Sequence, residues 1–157
     1  MKNILKLLFS LLLVSNLCFA QQTFMSGTVV KVKDGDTVEI LDDNKVTYNI
    51  RLAGVDCPEK NQDFGVVAKK FTSDLIFGKV VKFQILKQDL YGRNIGWVFI
   101  DDLNVSEELL RNGLAWHYVK YSTSKRLQIL ENLARKNKVG IWSKPDPIKP
   151  WEFRKKR

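Results

Sequence analysis

The chain has 157 residues, which is enough for one domain with its own hydrophobic core and argues against two. Its 26 Lys and Arg residues against 17 Asp and Glu residues give a formal net charge of +9. This excess favours contact with polyanions, because a protein that neutralises phosphates releases their counterions. A basic surface that serves solubility alone is the alternative.

The first residues, MKNILKLLFSLLLVSNLCFAQQ, combine early lysines, an apolar stretch and small residues at positions 18 and 20. This order predicts a signal peptide over residues 1–20, and hence a secreted or periplasmic protein without a membrane anchor after cleavage. A transmembrane anchor is the alternative, but the apolar stretch is shorter than the roughly 20 residues that spanning requires. Cleavage would leave Cys57 as the only cysteine, which excludes an internal disulfide.

Three runs rich in β-branched residues follow: GTVVKVK, TVEIL and VTYNIRLAGV. Turn residues separate them, so we predict three short antiparallel strands. Two further runs, KVVKFQIL and NIGWVFI, are joined by KQDLYGR and predict two more strands.

Apolar residues at helical spacing predict three helices. The first spans residues 64–78, with Phe64, Ala68, Phe71 and Leu75 facing the core. The second, residues 104–113, has Asn104 as its cap. The third covers residues 124–137, with Leu127, Leu130, Leu133 and Ala134 on one face.

The order of these elements predicts an α+β, mainly β, fold: a five-stranded Greek-key barrel of the oligonucleotide-binding (OB) type with about three helices. We assign this domain to residues 21–143. Residues 144–157 form a proline-rich, basic tail that cannot continue a helix and is expected to lie along the surface.

Two acidic segments could hold a metal ion. Asp34 and Asp36 flank Gly35 in DGD, which by itself indicates only a tight turn and lacks the remaining ligands of an EF-hand. In the second segment, DCPE, Pro58 biases Cys57 towards an extended backbone. If the strands are neighbours, the carboxylates of Asp36 and Asp56 and the Cys57 carbonyl can bind one hard cation. Calcium suits such an all-oxygen site, and zinc does not.

Two arginines flank the acidic residues along the chain, Arg51 before DCPE and Arg93 in LYGRN. A guanidinium group matches the oxygens of a phosphate in a bidentate way. The alternative for each arginine is a weak ion pair on the surface.

Taken together, DGDT, an arginine five positions before DCPE, then YGR, LLRNGLAW and GIW resemble the staphylococcal (thermo)nuclease family, whose type member is micrococcal nuclease. The resemblance covers about residues 27–142. It implies that Asp36, Asp56 and the Cys57 carbonyl bind one Ca²⁺ ion. It also implies that Glu59 is the general base or orients the attacking water, and that Arg51 and Arg93 bind the scissile phosphate.

The resemblance further places Tyr91, Tyr118 and Tyr121 where relatives contact the substrate. Asp34 and Thr37 are expected to support the metal ligands without binding the ion. Two departures are a short segment between Glu59 and Gly65 and a leucine, Leu90, where the type enzyme has a lysine. These bear on substrate binding and rate and remove no proposed catalytic group.

The resemblance implies a calcium-dependent endonuclease that hydrolyses DNA and RNA to 3′-phosphate ends, and the signal-peptide pattern implies that it is exported. No stable protein partner is implied, and a monomer is expected because no predicted helix has an unpaired apolar face. Two alternatives remain. The same barrel could bind nucleic acid without catalysis, or the basic tail RKKR could make the protein a membrane-surface or envelope-binding protein.

Overall fold

A computed structural model describes residues 23–156, so the predicted signal peptide lies outside the described residues. Within this range five longer strands form the barrel: β1 (Met25–Asp34), β2 (Thr37–Leu41), β3 (Thr47–Leu52), β5 (Val80–Gln88) and β6 (Asn94–Ile100). Antiparallel pairing joins β3 to β2, β2 to β1, β1 to β5 and β5 to β6. A parallel pairing of β3 with β6 closes the barrel. The predicted five-stranded OB-type barrel is confirmed.

Three short strands extend this framework. The strand β4 (Val55–Asp56) pairs with β8 (Trp116–His117), and β7 (Leu103–Asn104) pairs with β6. The β4–β8 pair ties the DCPE segment to the chain that leads into the last long helix. Asp56 is therefore held by backbone hydrogen bonds.

The barrel interior is filled by side chains that alternate along each strand. Val38 and Ile40 of β2, Ile50 and Leu52 of β3, and Phe83 of β5 are almost completely buried. Alternation with period two is what one buried face of a strand requires. These strands were predicted from their β-branched residues and the turn residues between them.

The three predicted helices are present as α1 (Gly65–Ile76), α2 (Val105–Arg111) and α3 (Lys125–Lys136). Asn104 caps α2 by accepting hydrogen bonds from the backbone N–H groups of Ser106 and Glu107. Of the four apolar residues expected on one face of α3, Leu127, Leu130 and Ala134 are buried, whereas the Leu133 side chain is 49% exposed.

The C-terminal segment contains a helix that was not predicted. After a 3₁₀ turn at Gly140–Ser143, the chain enters α4 (Pro150–Phe153) and a second 3₁₀ turn, Arg154–Lys156. Pro150 occupies the first turn of α4, where its fixed φ is favourable and its missing N–H costs nothing. Pro150 is buried, so this segment packs on the domain.

Between residues 23 and 156, no helix is both long and apolar enough to cross a membrane.

Candidate active site

Arg51 joins the two acidic segments. Its Nη1 donates to Asp36 Oδ2 at 3.1 Å and to the Val55 carbonyl at 3.1 Å, and its Nη2 donates to Asp56 Oδ1 at 2.6 Å. Asp36 is buried and Asp56 is only 1% exposed. The predicted convergence of Asp36 and Asp56 is therefore present in the structure, with a guanidinium group between the two carboxylates.

Gly35 allows the DGD turn to approach the DCPE segment closely. A Cβ atom at this position would lie 2.9 Å from Cys57 Sγ and 2.8 Å from Ala68 Cβ, which is too close for either contact. The Cys57 N–H donates to Asp36 Oδ2 at 2.8 Å, and the Thr72 hydroxyl donates to the Gly35 carbonyl at 2.6 Å. The position of Asp36 is thus fixed by contacts with distant parts of the chain.

The Cys57 side chain has a structural place in this arrangement. Its thiol is buried, and burial, with the nearby charge of Asp36 adding to it, raises the thiol pKa well above its usual value. The His117 ring lies within hydrogen-bond distance of Gln128 Oε1 (2.9 Å) and Ser122 Oγ (3.0 Å). A protonated thiol is a poor nucleophile, so these contacts favour a packing role for the Cys57 side chain over catalysis.

Burial also changes the pKa values of the acidic residues in the site. It raises the pKa of Asp56; hydrogen bonds from Arg154 oppose this shift, the charge of Asp36 adds to it and the charge of Arg51 reduces it. Burial followed by the charges of Asp36 and Glu59 raises the pKa of Asp34. A cluster of carboxylates that raise one another's pKa values favours a bound cation.

Arg154, at the end of α4, supplies a cation to this cluster. Its Nη2 donates to Asp56 Oδ2 at 2.7 Å, and its Nη1 donates to Asp56 Oδ1 at 3.2 Å and to Glu59 Oε1 at 2.6 Å. The part that Arg154 plays in the site was not predicted from the sequence. The only available signal was the basic run at the C-terminus, which does not specify which residue turns inward.

Arg93 lies in the same cavity but makes different contacts. Its Nε donates to Asp89 Oδ2 at 2.8 Å and its backbone N–H to Asp89 Oδ1 at 2.9 Å. Burial acts to raise the pKa of Asp89, but the hydrogen bonds from Arg93 and Tyr91 outweigh it and lower that pKa. Arg51, Arg93 and Glu59 all line one open cavity of about 1110 Å³.

The predicted tyrosines lie around this cavity. Tyr91, in the turn between β5 and β6, is 85% exposed, and Tyr121 is 61% exposed. Tyr118 instead stacks on Trp151 of α4, with ring centroids 5.1 Å apart and planes 10° from parallel. Of the two expected supporting residues, Thr37 donates to Asp36 Oδ1 at 3.2 Å, and Asp34 lines the cavity.

The side-chain oxygens of the site supply part of the ligand shell that a hard cation needs. Among residues 23–156 no group of three or more His, Cys, Asp or Glu side chains is arranged to hold a metal ion. The carboxylates of Asp36 and Asp56 remain, and such oxygen ligands suit Ca²⁺ when carbonyls, water or substrate complete the shell. The guanidinium of Arg154 donates to both oxygens of Asp56 and thus takes the place that a metal cation would have there.

A match to a known protein family identifies the family of this chain. The family model described as staphylococcal nuclease homologue matches residues 49–144. This chain belongs to the staphylococcal nuclease family. The family match contains Arg51, Asp56, Glu59 and Arg93, and it ends before Arg154.

Three relatives illustrate the range of the staphylococcal nuclease family. A protein named uncharacterized endonuclease from Escherichia coli O157:H7 is 42% identical over 132 residues, covering 83% of this chain and 86% of that protein. A micrococcal nuclease from Shigella flexneri is 34% identical over 140 residues, covering 82% of this chain and 80% of that protein. A staphylococcal-like nuclease from Arabidopsis thaliana is 39% identical over 110 residues, covering 70% of this chain and 34% of that longer protein.

Proposed function

We propose that this protein is an exported, calcium-dependent endonuclease that hydrolyses phosphodiester bonds of DNA and RNA and leaves 3′-phosphate ends. Membership of the staphylococcal nuclease family supports a nuclease, and thus a hydrolase with a nucleic-acid substrate. The observation that carries the proposal is the junction of Asp36, Arg51 and Asp56 beside Glu59, in a cavity that Arg93 also lines.

In this proposal Asp36 and Asp56, with the Cys57 carbonyl, hold Ca²⁺. The bound ion supplies Lewis-acid polarisation of a phosphate oxygen and a template for the substrate. Asp36 is suited to this role because its carboxylate is fixed by the Cys57 N–H, and Asp56 because its backbone is paired with β8. Calcium rather than magnesium is favoured by the irregular arrangement of the oxygen ligands, since magnesium requires near-ideal octahedral geometry.

Glu59 acts on the attacking water. Its side chain lines the cavity, and its carboxylate is close enough to Asp56 for Arg154 to bridge the two groups. The water oxygen attacks phosphorus, Glu59 accepts the water proton, the bond from phosphorus to the 5′ oxygen breaks, and the departing 5′ oxygen takes up a proton from solvent. A positioned general base of this kind contributes about 10²- to 10⁴-fold in rate.

Arg51 and Arg93 neutralise the charge that develops on the phosphate. The Arg51 guanidinium is fixed by two carboxylates, and that of Arg93 by Asp89, so both are held in place before the substrate arrives. Loss of one such donor commonly costs about 2.7–4 kcal/mol of transition-state stabilisation. Tyr91 and Tyr121 offer exposed rings on which bases can stack, which is a contact that tolerates both DNA and RNA.

A digest of plasmid DNA and of RNA tests the proposal, using the chain from residue 21 onward in calcium, in magnesium or in a chelator. We expect cleavage of both substrates in calcium and none in the chelator. The product ends should accept a polymerase only after phosphatase treatment, since a 3′-phosphate blocks extension. Intact substrate in calcium, from folded protein that still binds nucleic acid, would instead establish a non-catalytic binding module.

Export and the monomeric state are part of the same proposal. The order of charged, apolar and small residues at the N-terminus supports cleavage after Ala20. N-terminal sequencing of protein recovered outside the cytoplasm should begin at Gln21. Sedimentation of this material at micromolar concentration should give a single species with the mass of one chain.

A further inference from the structure

Arg154 occupies the two carboxylates on which the proposed reaction depends. Its guanidinium contacts both oxygens of Asp56, a proposed calcium ligand, and one oxygen of Glu59, the proposed base. Asp56 is almost completely buried, whereas the Arg154 side chain is 40% exposed at the cavity. While these hydrogen bonds are intact, the Arg154 guanidinium competes with a metal ion for the same Asp56 oxygens.

The segment that carries Arg154 is anchored next to the site. Trp151 stacks on Tyr118 and contacts Trp116 edge-on, with centroids 5.9 Å apart. Gln62, which follows the proposed base by three positions, donates its side-chain amide to the Ile148 carbonyl. The position of Arg154 is therefore set by the packing of Trp151 and by the Gln62 contact as well as by its ion pairs.

The same packing covers a second part of the cavity. Tyr118 lines the cavity, and Trp151 lies flat against its ring, as a base would in a stacking contact. Arg154 and Trp151 together place a cation on the carboxylates and an aromatic ring on the tyrosine. One folded segment thus contacts both the carboxylates and the aromatic ring that a bound ion and a nucleotide base would contact.

We propose that residues 148–154 form a C-terminal latch whose Arg154 guanidinium competes with the divalent cation for Asp56 and also occupies the carboxylate of Glu59. The latch rests on the proposed function, because Asp56 is taken as a ligand of the ion. Calcium binding releases Arg154, and release of the segment uncovers the Tyr118 ring for a nucleotide base. A site that is closed for part of the time binds its ligand with an affinity reduced by the open fraction.

Calcium binding measured by calorimetry tests the latch without any readout of cleavage. The proteins are the chain from residue 21 onward, its Arg154→Ala variant and Lys155→Ala, which removes a charge from the neighbouring exposed residue. Since couplings between sites usually change affinity by about 5- to 150-fold, Arg154→Ala should lower the calcium Kd at least about fivefold. Lys155→Ala should leave the Kd unchanged. An equal or higher Kd in Arg154→Ala would overturn the latch.

Hydrogen exchange of the backbone amides in residues 148–154 gives a second readout. In the unaltered protein, saturating calcium should make these amides exchange faster, while those of β2 and β3 stay protected. Unchanged or slower exchange in calcium would contradict release of the latch.

The two proposals fail in different ways. If the latch is wrong and the nuclease proposal is right, Arg154→Ala cleaves DNA but has the parental calcium Kd. If the nuclease proposal is wrong, neither protein cleaves DNA, and the difference in calcium Kd still decides the latch. If neither protein binds calcium, the latch is overturned together with the proposed metal.

Discussion

The Arg51 guanidinium lies 2.6 Å from the Asp56 carboxylate, and the same guanidinium group also contacts Asp36. This arginine therefore holds together two acids that come from separate segments, the turn after β1 and the strand β4. All three side chains are largely buried, so none of these charges is well solvated. The stability of the site and its proposed chemistry depend on the same few atoms.

Replacement of Arg51 by glutamine should destabilise the protein. Breaking a buried ion pair on one side leaves uncompensated charge and costs about 3–5 kcal/mol. We expect the loss of unfolding free energy to lie near the lower end of this range, because Arg154 also contacts Asp56 and keeps part of its charge compensated. Urea unfolding measures the change, and calcium should restore part of it by replacing the missing positive charge. Arg111→Gln, which breaks exposed ion pairs, is the control and should cost less than about 1 kcal/mol. Equal losses in the two variants would contradict the role given to Arg51.

Replacement of Asp36 by asparagine should weaken calcium binding and cleavage together. Changing residues that merely support metal ligands costs about 10- to 100-fold in affinity, so loss of a ligand should reach about 100-fold or more. Calcium calorimetry and the rate of plasmid cleavage measure the two effects. Asp63→Asn, at an exposed position away from the main cavity, should change neither quantity. Parental calcium affinity in Asp36→Asn would remove Asp36 from the metal site.

Replacement of Gly35 by alanine should separate the two acidic segments. The added methyl group would meet Cys57 and Ala68 at distances below 3 Å, and overpacking of this kind costs about 1–3 kcal/mol. Urea unfolding of Gly35→Ala, Cys57→Ala and the double variant measures the coupling. Removing the Cys57 thiol should relieve part of the clash, so the double variant should be more stable than the sum of single effects predicts. Strict additivity would show that the thiol does not limit the approach.

The stability of the protein should depend on pH through Glu107. A hydrogen bond from Arg126, with burial opposing it, lowers the pKa of Glu107 below its usual value of 4.5. A lowered pKa means that this pair stabilises the fold above pH 4.5 and that its contribution is lost as the pH falls through the folded-state pKa. Glu107→Gln should therefore lose less stability than the parent between pH 7 and pH 3.5. Thermal unfolding at the two pH values gives the comparison, and identical losses would contradict this assignment.

Much of the fold could be predicted because its signals are local. Runs of β-branched residues between turn residues identified β2 and β3, and the cap at Asn104 identified the start of α2. The convergence of Asp36 and Asp56 was also predictable, although only the structure shows that Arg51 lies between them. The motifs therefore indicated that Asp36 and Asp56 lie close together. The hydrogen bonds that Arg51 donates to them depend on the closed barrel.

The structure of the C-terminal segment could not be predicted from the sequence. Three prolines in the residues that follow Ser143 argued against a helix, yet Pro150 starts one. The contact of Arg154 with Asp56 joins residues 98 positions apart, and no periodicity or motif encodes such a pairing. It arises from the packing of Trp151 on Tyr118, which only the assembled domain creates.

Cleavage by Glu59→Gln tests the central claim most directly. The rate should be measured with enzyme in excess over DNA, at saturating calcium, beside the parent and Glu108→Gln, an acidic residue of α2 outside the cavity. We expect Glu59→Gln to cleave about 10²- to 10⁴-fold more slowly, because it can no longer accept the water proton, and Glu108→Gln to match the parent. A Glu59→Gln variant that cleaves at the parental rate would contradict the proposed site.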